Sequence, residues 1–217
     1  CAPSGASVGK YEAVSFPNNS QEESLRILTE NSKKFLGLDP SDLKAIHETI
    51  KSIDKTPNYS EIGGSIAYAV TIASMESASK VIDKPLFRLI SEQSEYRFPI
   101  PIGNILGGGA HAGPGTPDIQ EILISAIGAK TIRDAIQTNL AVHKELREVI
   151  EKNDSGFTNG RGDEGGWAPK CDNEKAFELC ATACENLGYT LGKEVSLGAD
   201  FASSTQWDEK KQKYVYN

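Results

Sequence analysis

The sequence predicts a mixed chain, α/β and α+β, in two domains, and three observations carry that expectation. The first ninety or so residues read as helices separated by glycine and proline stops. A proline-flanked apolar run then marks a change of composition at about residue 97. Beyond it, apolar β-branched runs alternate with long amphipathic patterns, the alternation of a strand-and-helix barrel. The expected domains are residues 1–96 and 97–217.

The opening Pro3-Ser4-Gly5-Ala6-Ser7-Val8-Gly9 is small and reads as a flexible loop. Residues 21–36 have helical period, with Leu25, Leu28, Phe35 and Leu36 as the apolar face and Gly37 as the stop. A second helix is expected from Ser41 to about Ile53, with Leu43, Ile46 and Ile50 on one side. A third follows Gly63-Gly64 and carries Ile66, Ala69, Val70, Ala73 and Ala78, until Pro85 breaks it before a short turn. In the second domain Phe98-Pro99-Ile100-Pro101-Ile102 reads as a short strand and Ile119 to Ile127 as another. Thr131, with Asp134 three residues on, starts a long helix lined by Ile132, Ile136, Leu140, Leu146 and Ile150. A further helix spans roughly residues 174–187 before Gly188, and residues 195–200 read as a strand ending in Asp200.

Thirty acids against 23 bases give a net charge of −7, which disfavours nucleic acid as a partner and suits cations. No apolar run approaches the ~20 residues of a membrane span, and no basic segment leads into an apolar one at the N-terminus. A cytoplasmic location is therefore expected. Cys1, Cys171, Cys180 and Cys184 lack the Cys-x-x-Cys spacing of zinc or redox sites, and Cys180 and Cys184 are expected as buried thiols on one helix face. A start at Cys1-Ala2-Pro3 and a stop in strand-like Tyr214-Val215-Tyr216-Asn217 read as a fragment.

The stretch Gly162-Asp163-Glu164-Gly165-Gly166, followed by Trp167-Ala168-Pro169, sets two carboxylates between glycines, which lets a ligand approach the acids closely. Taken alone, a solvated turn is the better explanation of such a cluster. Glu121 and Asp200 also stand beside the ends of strand-like segments, and in barrels of this kind residues from separate strands converge at the C-terminal face. Carboxylates gathered there suit Mg²⁺. His111 lies in the glycine-rich run from Gly107 to Gly115, a loop able to close over an anion. That run satisfies a dinucleotide pattern, but Pro114 and Pro117 forbid the helix that such a site opens, and the nucleotide reading is rejected. His143 reads as a packed helix residue and His47 as a surface residue without a partner. Arg161-Gly162-Asp163 matches an adhesion tripeptide whose Asp already belongs to the acidic loop.

Five motifs, in family order, together resemble enolase, the phosphopyruvate hydratases of glycolysis. They are the opening Ser7 loop, Gly108-Gly109-Ala110-His111-Ala112-Gly113, Asp118-Ile119-Gln120-Glu121, Gly162 to Pro169, and Leu197-Gly198-Ala199-Asp200-Phe201-Ala202-Ser203-Ser204. The resemblance implies an N-terminal α+β capping domain lacking its first strand, followed by the first part of an enolase-type β/α barrel. It implies reversible dehydration of 2-phosphoglycerate to phosphoenolpyruvate. Glu164 would be the general acid, assisted by Glu121, which also contacts substrate. Gln120 would contact substrate and His111 would lie near the phosphate. Asp200 would hold one Mg²⁺ and Ser7 the other, two per complete active site. Raising of the Glu164 pKa by its carboxylate neighbours is expected to keep it protonated. A homodimer or larger assembly in the cytoplasm is implied, with cell-surface display left open. The spacing from His111 to Glu121 is one residue longer than in many members, with residues 114–117 taking up the difference. The family's base lysine and remaining metal ligands fall on later strands, so the chain reads as half an enolase, expected to be inactive alone. The alternative is a non-catalytic binding protein of this fold, such as a surface receptor using Arg161-Gly162-Asp163.

Overall fold

The computed structural model describes residues 2, 3, 5, 9–91 and 93–216. They divide into two compact units, with the break between Tyr96 and Arg97.

The first unit is helical: α1 (Gln21–Asn31), a 3₁₀ turn (Ser32–Phe35), α2 (Leu43–Ile53), α3 (Gly64–Ile82) and α4 (Leu86–Ile90). Ser20 and Asp42 cap α1 and α2 by accepting the backbone N–H three residues on, from Glu23 and Ala45. Ile46, Ile50 and Ala67 form the core, with Phe35, Leu38, Tyr59 and Val70 packed against it. The α1 face differs from the expected one: Ser24 is buried, while Leu25 and Leu36 are exposed. The helix also stops at Asn31, because Thr29, Asn31 and Ser32 turn their side chains onto the carbonyls of Leu25, Ile27 and Thr29. His47 is not without a partner; its Nε2 lies 3.2 Å from the Tyr59 hydroxyl.

Between α2 and α3 the chain closes on one buried carboxylate. Asp54 is 1 % exposed and accepts the N–H groups of Thr56, Glu61 and Ile62 at 2.8, 2.9 and 2.8 Å, together with the Thr56 hydroxyl. Burial alone pushes this carboxyl up, but the hydrogen bonds from Thr56, Ile62 and Glu61 outweigh it and hold the group below its ordinary value.

The second unit runs β1 (Ile102–Gly107), α5 (Gly109–Ala112), β2 (Glu121–Ser125), α6 (Ile132–Asn153), α7 (Asn173–Asn186), β3 (Ser196–Asp200), and a small hairpin of β4 (Trp207–Asp208) and β5 (Lys213–Tyr214). β1, β2 and β3 form an antiparallel sheet in that order. Among the described residues the strands close no barrel. The first strand begins where the predicted one ends. Pro99 and Pro101 have no N–H to give a ladder, so Phe98 and Ile100 stay exposed and pairing starts at Ile102.

Thr131 caps α6 as expected, accepting the Asp134 N–H while its hydroxyl donates to the Asp134 carboxylate. The stripe that α6 buries is Ala135, Asn139, Val142, Leu146, Val149 and Ile150, which keeps Leu146 and Ile150 of the predicted face while Ile136 and Leu140 are exposed. Ile122 and Ile124 of β2 share one core with Val142, Leu146, Val149 and Ile150 of that stripe and with Leu179, Cys180, Ala183 and Cys184 of α7. Burial pushes both α7 thiols up, that of Cys184 to about 11, so they stay protonated packing groups. Among the described residues no helix is long and apolar enough to cross a membrane.

Candidate active site

Side chains alternate along a strand, so burying Ile122 and Ile124 turns Glu121 and Leu123 to the other face of the sheet. Register then sets the acids side by side, for Glu121 pairs with Gly107 on one flank and with Asp200 on the other. Asp200 closes β3, but Glu121 opens β2, contrary to acids gathered only at C-terminal strand ends. Because β2 runs antiparallel to its neighbours, its first residue meets their last ones.

His111 reaches the row from α5, the single turn after β1. Pro114 does limit that helix, which ends at Ala112. The turn is drawn tight by the Gly108 N–H to Gln120 and the Gly109 N–H to Pro117. A Cβ at Gly108 would run into the carbonyl oxygens of Pro117 and Ile119, which accounts for glycine there.

The acidic loop lies along β1, where the Trp167 N–H donates to the Ile105 carbonyl and the Gly107 N–H donates to the Trp167 carbonyl. At Gly162 the close neighbour is the chain's own backbone rather than a ligand: an added Cβ would sit 2.7 Å from the His111 carbonyl oxygen. The Asp163 N–H donates to that same oxygen. The His143 Nε2 lies 3.0 Å from the Gly165 carbonyl, its ring stacks on Trp167, and the Trp167 indole N–H donates back to the His143 carbonyl at 2.7 Å. His143 is thus a clasp on the acidic loop as well as a packed residue. The Arg161 guanidinium lies 4.2 Å from the Trp167 ring centroid, so the adhesion tripeptide is engaged at both ends by its own domain.

One atom each of His111, Glu121 and Glu164 falls within a 4.8 Å group. Glu121 is nearly covered, at 14 % side-chain exposure, and Glu164 is half open at 53 %. Burial, followed by the hydrogen bond and charge of Glu164, pushes the Glu121 carboxyl up to about 7; His111 opposes this and Asp200 adds to it. Glu164 moves the other way, lowered by its hydrogen bond with Glu121 against a smaller effect of burial, with help from Asn104 and His111. The carboxyl held above its ordinary range is therefore Glu121, not Glu164 as expected, because Glu121 is the more buried member. Asn104, whose side-chain amide lies 3.4 Å from the Glu164 carboxylate, was missed in the sequence; its signal was a polar residue within an apolar strand.

Gln120 is buried, and its amide donates to the Asp200 carboxylate at 3.3 Å. The second Asp200 oxygen accepts the Ala202 N–H at 2.9 Å. An exposed carboxylate at a strand end is a donor suited to Mg²⁺, which takes one or two carboxylates with substrate and water oxygens. Ser7 lies outside the described residues. A depression of about 470 Å³ in the first unit, lined by Ala13, His47, Ile50, Tyr59, Ala67 and Tyr68 among others, is mostly apolar and offers far less chemistry than the carboxylate row.

Comparison with known proteins agrees over the whole chain. Residues 1–90 match the family described as the enolase N-terminal domain, and residues 95–217 the enolase C-terminal TIM barrel domain. The enolase of Methanosphaera stadtmanae is 42% identical over 216 residues, covering 99% of this chain and 52% of its own. That of Methanothermobacter thermautotrophicus is 43% identical over 219 residues, covering 99% and 52%. That of Archaeoglobus fulgidus is 37% identical over 216 residues, covering 100% and 52%. The chain spans about half the length of the curated relatives it matches.

Proposed function

Because this chain belongs to the enolase family, we propose that it supplies the capping domain, residues 1–96, and the opening barrel segment, residues 97–217, of a Mg²⁺-dependent phosphopyruvate hydratase. The observation that carries the reading is the set of His111, Glu121 and Glu164 gathered within 4.8 Å, with Asp200 paired to Glu121 in the same row. The reaction is the reversible dehydration of 2-phosphoglycerate to phosphoenolpyruvate.

Hydroxide is a poor leaving group, so a positioned acid must protonate it as the C–O bond breaks. Glu164, half open on its loop, is the group that faces substrate, and Glu121 behind it is the proton reservoir. A proton passes from Glu121 through their hydrogen bond to Glu164 and on to the departing oxygen. Gln120 orients substrate beside Asp200, and His111 meets the phosphate when its loop closes. Asp200 would hold one Mg²⁺ and Ser7 would reach a second, and ions bound there would supply electrostatic stabilisation of the negative charge that accompanies loss of the C2 proton, the general device of this superfamily. The base is a lysine outside the matched half, so residues 1–217 alone would not turn over. A cytoplasmic dimer or larger assembly fits the family.

The test is Glu164→Gln in a complete enzyme carrying this chain, followed by the phosphoenolpyruvate absorbance. Dehydration should fall by about 10²- to 10⁴-fold. Turnover at the unmodified rate would remove Glu164 from the role of acid.

A further inference from the structure

We propose that His143 is a positioning residue for the general acid: its imidazole N–H fixes the backbone that carries Glu164, and so sets the rate of dehydration without touching substrate. The inference rests on the assignment of Glu164 as that acid. It starts from how loosely the acid is held by its own surroundings. The Glu164 side chain is 53 % exposed, and the Asn104 amide that donates to it is 3.4 Å away, long for a hydrogen bond. Gly165 and Gly166 follow it, and glycine has more backbone freedom to lose than any other residue. Gly165 takes φ +85° with nothing within 4 Å of where a Cβ would stand, so no packing holds it in place. The acid therefore needs an anchor from outside its loop.

That anchor is on α6. Within the turn the Gly165 N–H donates to the Gly162 carbonyl at 3.0 Å and the Gly162 N–H to the Gly166 carbonyl at 2.9 Å. The Gly165 carbonyl, next along the chain from Glu164, accepts no backbone N–H among the described residues. Its partner is His143 Nε2 at 3.0 Å. A carbonyl oxygen only accepts, so Nε2 carries the proton. The mount is rigid, because His143 lies mid-helix between Val142 and Leu146, both without exposure. Its ring stacks on Trp167 with centroids 4.9 Å apart and planes 22° from parallel. The Trp167 indole N–H returns to the His143 carbonyl at 2.7 Å. One helix residue thus grips the loop at Gly165 and again at Trp167, on either side of Gly166. Misplacing a reacting group by about 1 Å can cost about 10²-fold in rate, so the stiffness lent to Glu164 has a kinetic value.

The experiment separates the donor from the ring. His143→Phe keeps an aromatic ring against Trp167 and removes the N–H, while His143→Gln restores an amide N–H at a similar reach. In a complete enzyme carrying this chain, His143→Phe should lower kcat about 10- to 100-fold with KM little changed, and His143→Gln should recover most of that loss. In the Glu164→Gln background His143→Phe should cost less than about twofold more, because residues that act as one unit are not additive. In the 217-residue chain, His143→Phe should speed amide exchange over residues 162–166 while α6 and α7 keep their protection. If His143→Phe loses the far-UV helix signal, His143→Ala, which adds no bulk, is read in its place. Unchanged loop exchange overturns the proposal, as does a His143→Gln variant as slow as His143→Phe. So does a loss that persists in full in the Glu164→Gln background, which would mark a merely structural role. A slow Glu164→Gln beside a normal His143→Phe removes the clasp alone, whereas normal turnover in both removes the acid on which it rests.

Discussion

Sixteen buried residues from the second unit make one continuous core, whereas among the described residues the core cluster of the first unit is Ile46, Ile50 and Ala67. What the first unit has instead is the Asp54 carboxylate, which takes three backbone N–H groups from a single loop. Apolar burial is non-directional and indifferent to pH. A carboxylate anchor is directional, and its strength depends on its charge. The two halves of one chain should thus respond to different perturbations.

The largest effect is expected in the second unit. Leu146→Ala, at a residue with no exposure, should cost about 2–5 kcal/mol, read as a lower urea midpoint and faster amide exchange in α6 and α7. A variant within a few tenths of a kcal/mol of the parent would mean that the core relaxes around the cavity, and the contrast would lose its stronger side. Asp54→Asn sets the first unit against it. An amide cannot replace both oxygens, and each stranded N–H costs about 1–3 kcal/mol, seen as faster exchange over residues 55–62. The same carboxylate gives the first unit an acid sensitivity. Its folded pKa is lowered, so its contribution is present above the ordinary value of about 3.9 and is lost as pH falls through the lower folded value. Asp54→Asn should flatten that acid slope, and an unchanged slope would assign it to other carboxylates. Thr131→Ala is the smallest of the set. Loss of the α6 cap should cost about 1 kcal/mol without altering the protection of the first unit.

Much of this contrast was visible in the residues. The cap at Thr131 and the stop at Gly188 were legible because they are local chemistry, set within three or four positions of the helix end. Asp54 was not, because its partners include backbone N–H groups seven and eight residues away, which leave no mark on side-chain pattern. The α6 face was misread because Ile136 and Leu140 are apolar yet exposed, while Asn139 is buried and its amide donates to the Pro101 carbonyl. At the site, His111, Glu121, Glu164 and Asp200 were picked out by glycine spacing and family resemblance. The opposite pKa directions of the two glutamates were not, since they depend on which is desolvated, and that follows from strand polarity.

The row of Gly107, Glu121 and Asp200 has a bearing on how such chains can diverge. Sliding β2 by one residue would bring Ile122 into the row and send Glu121 into the apolar core. The connection that precedes β2 is cinched at its base by the Gly108 N–H to Gln120 and the Gly109 N–H to Pro117. Residues gained or lost at its tip, around Gly113 to Thr116, therefore change the loop without shifting the ladder, and added loop length is thermodynamically cheap. A chain of this fold can therefore change the tip while the strand pairing beneath it is kept.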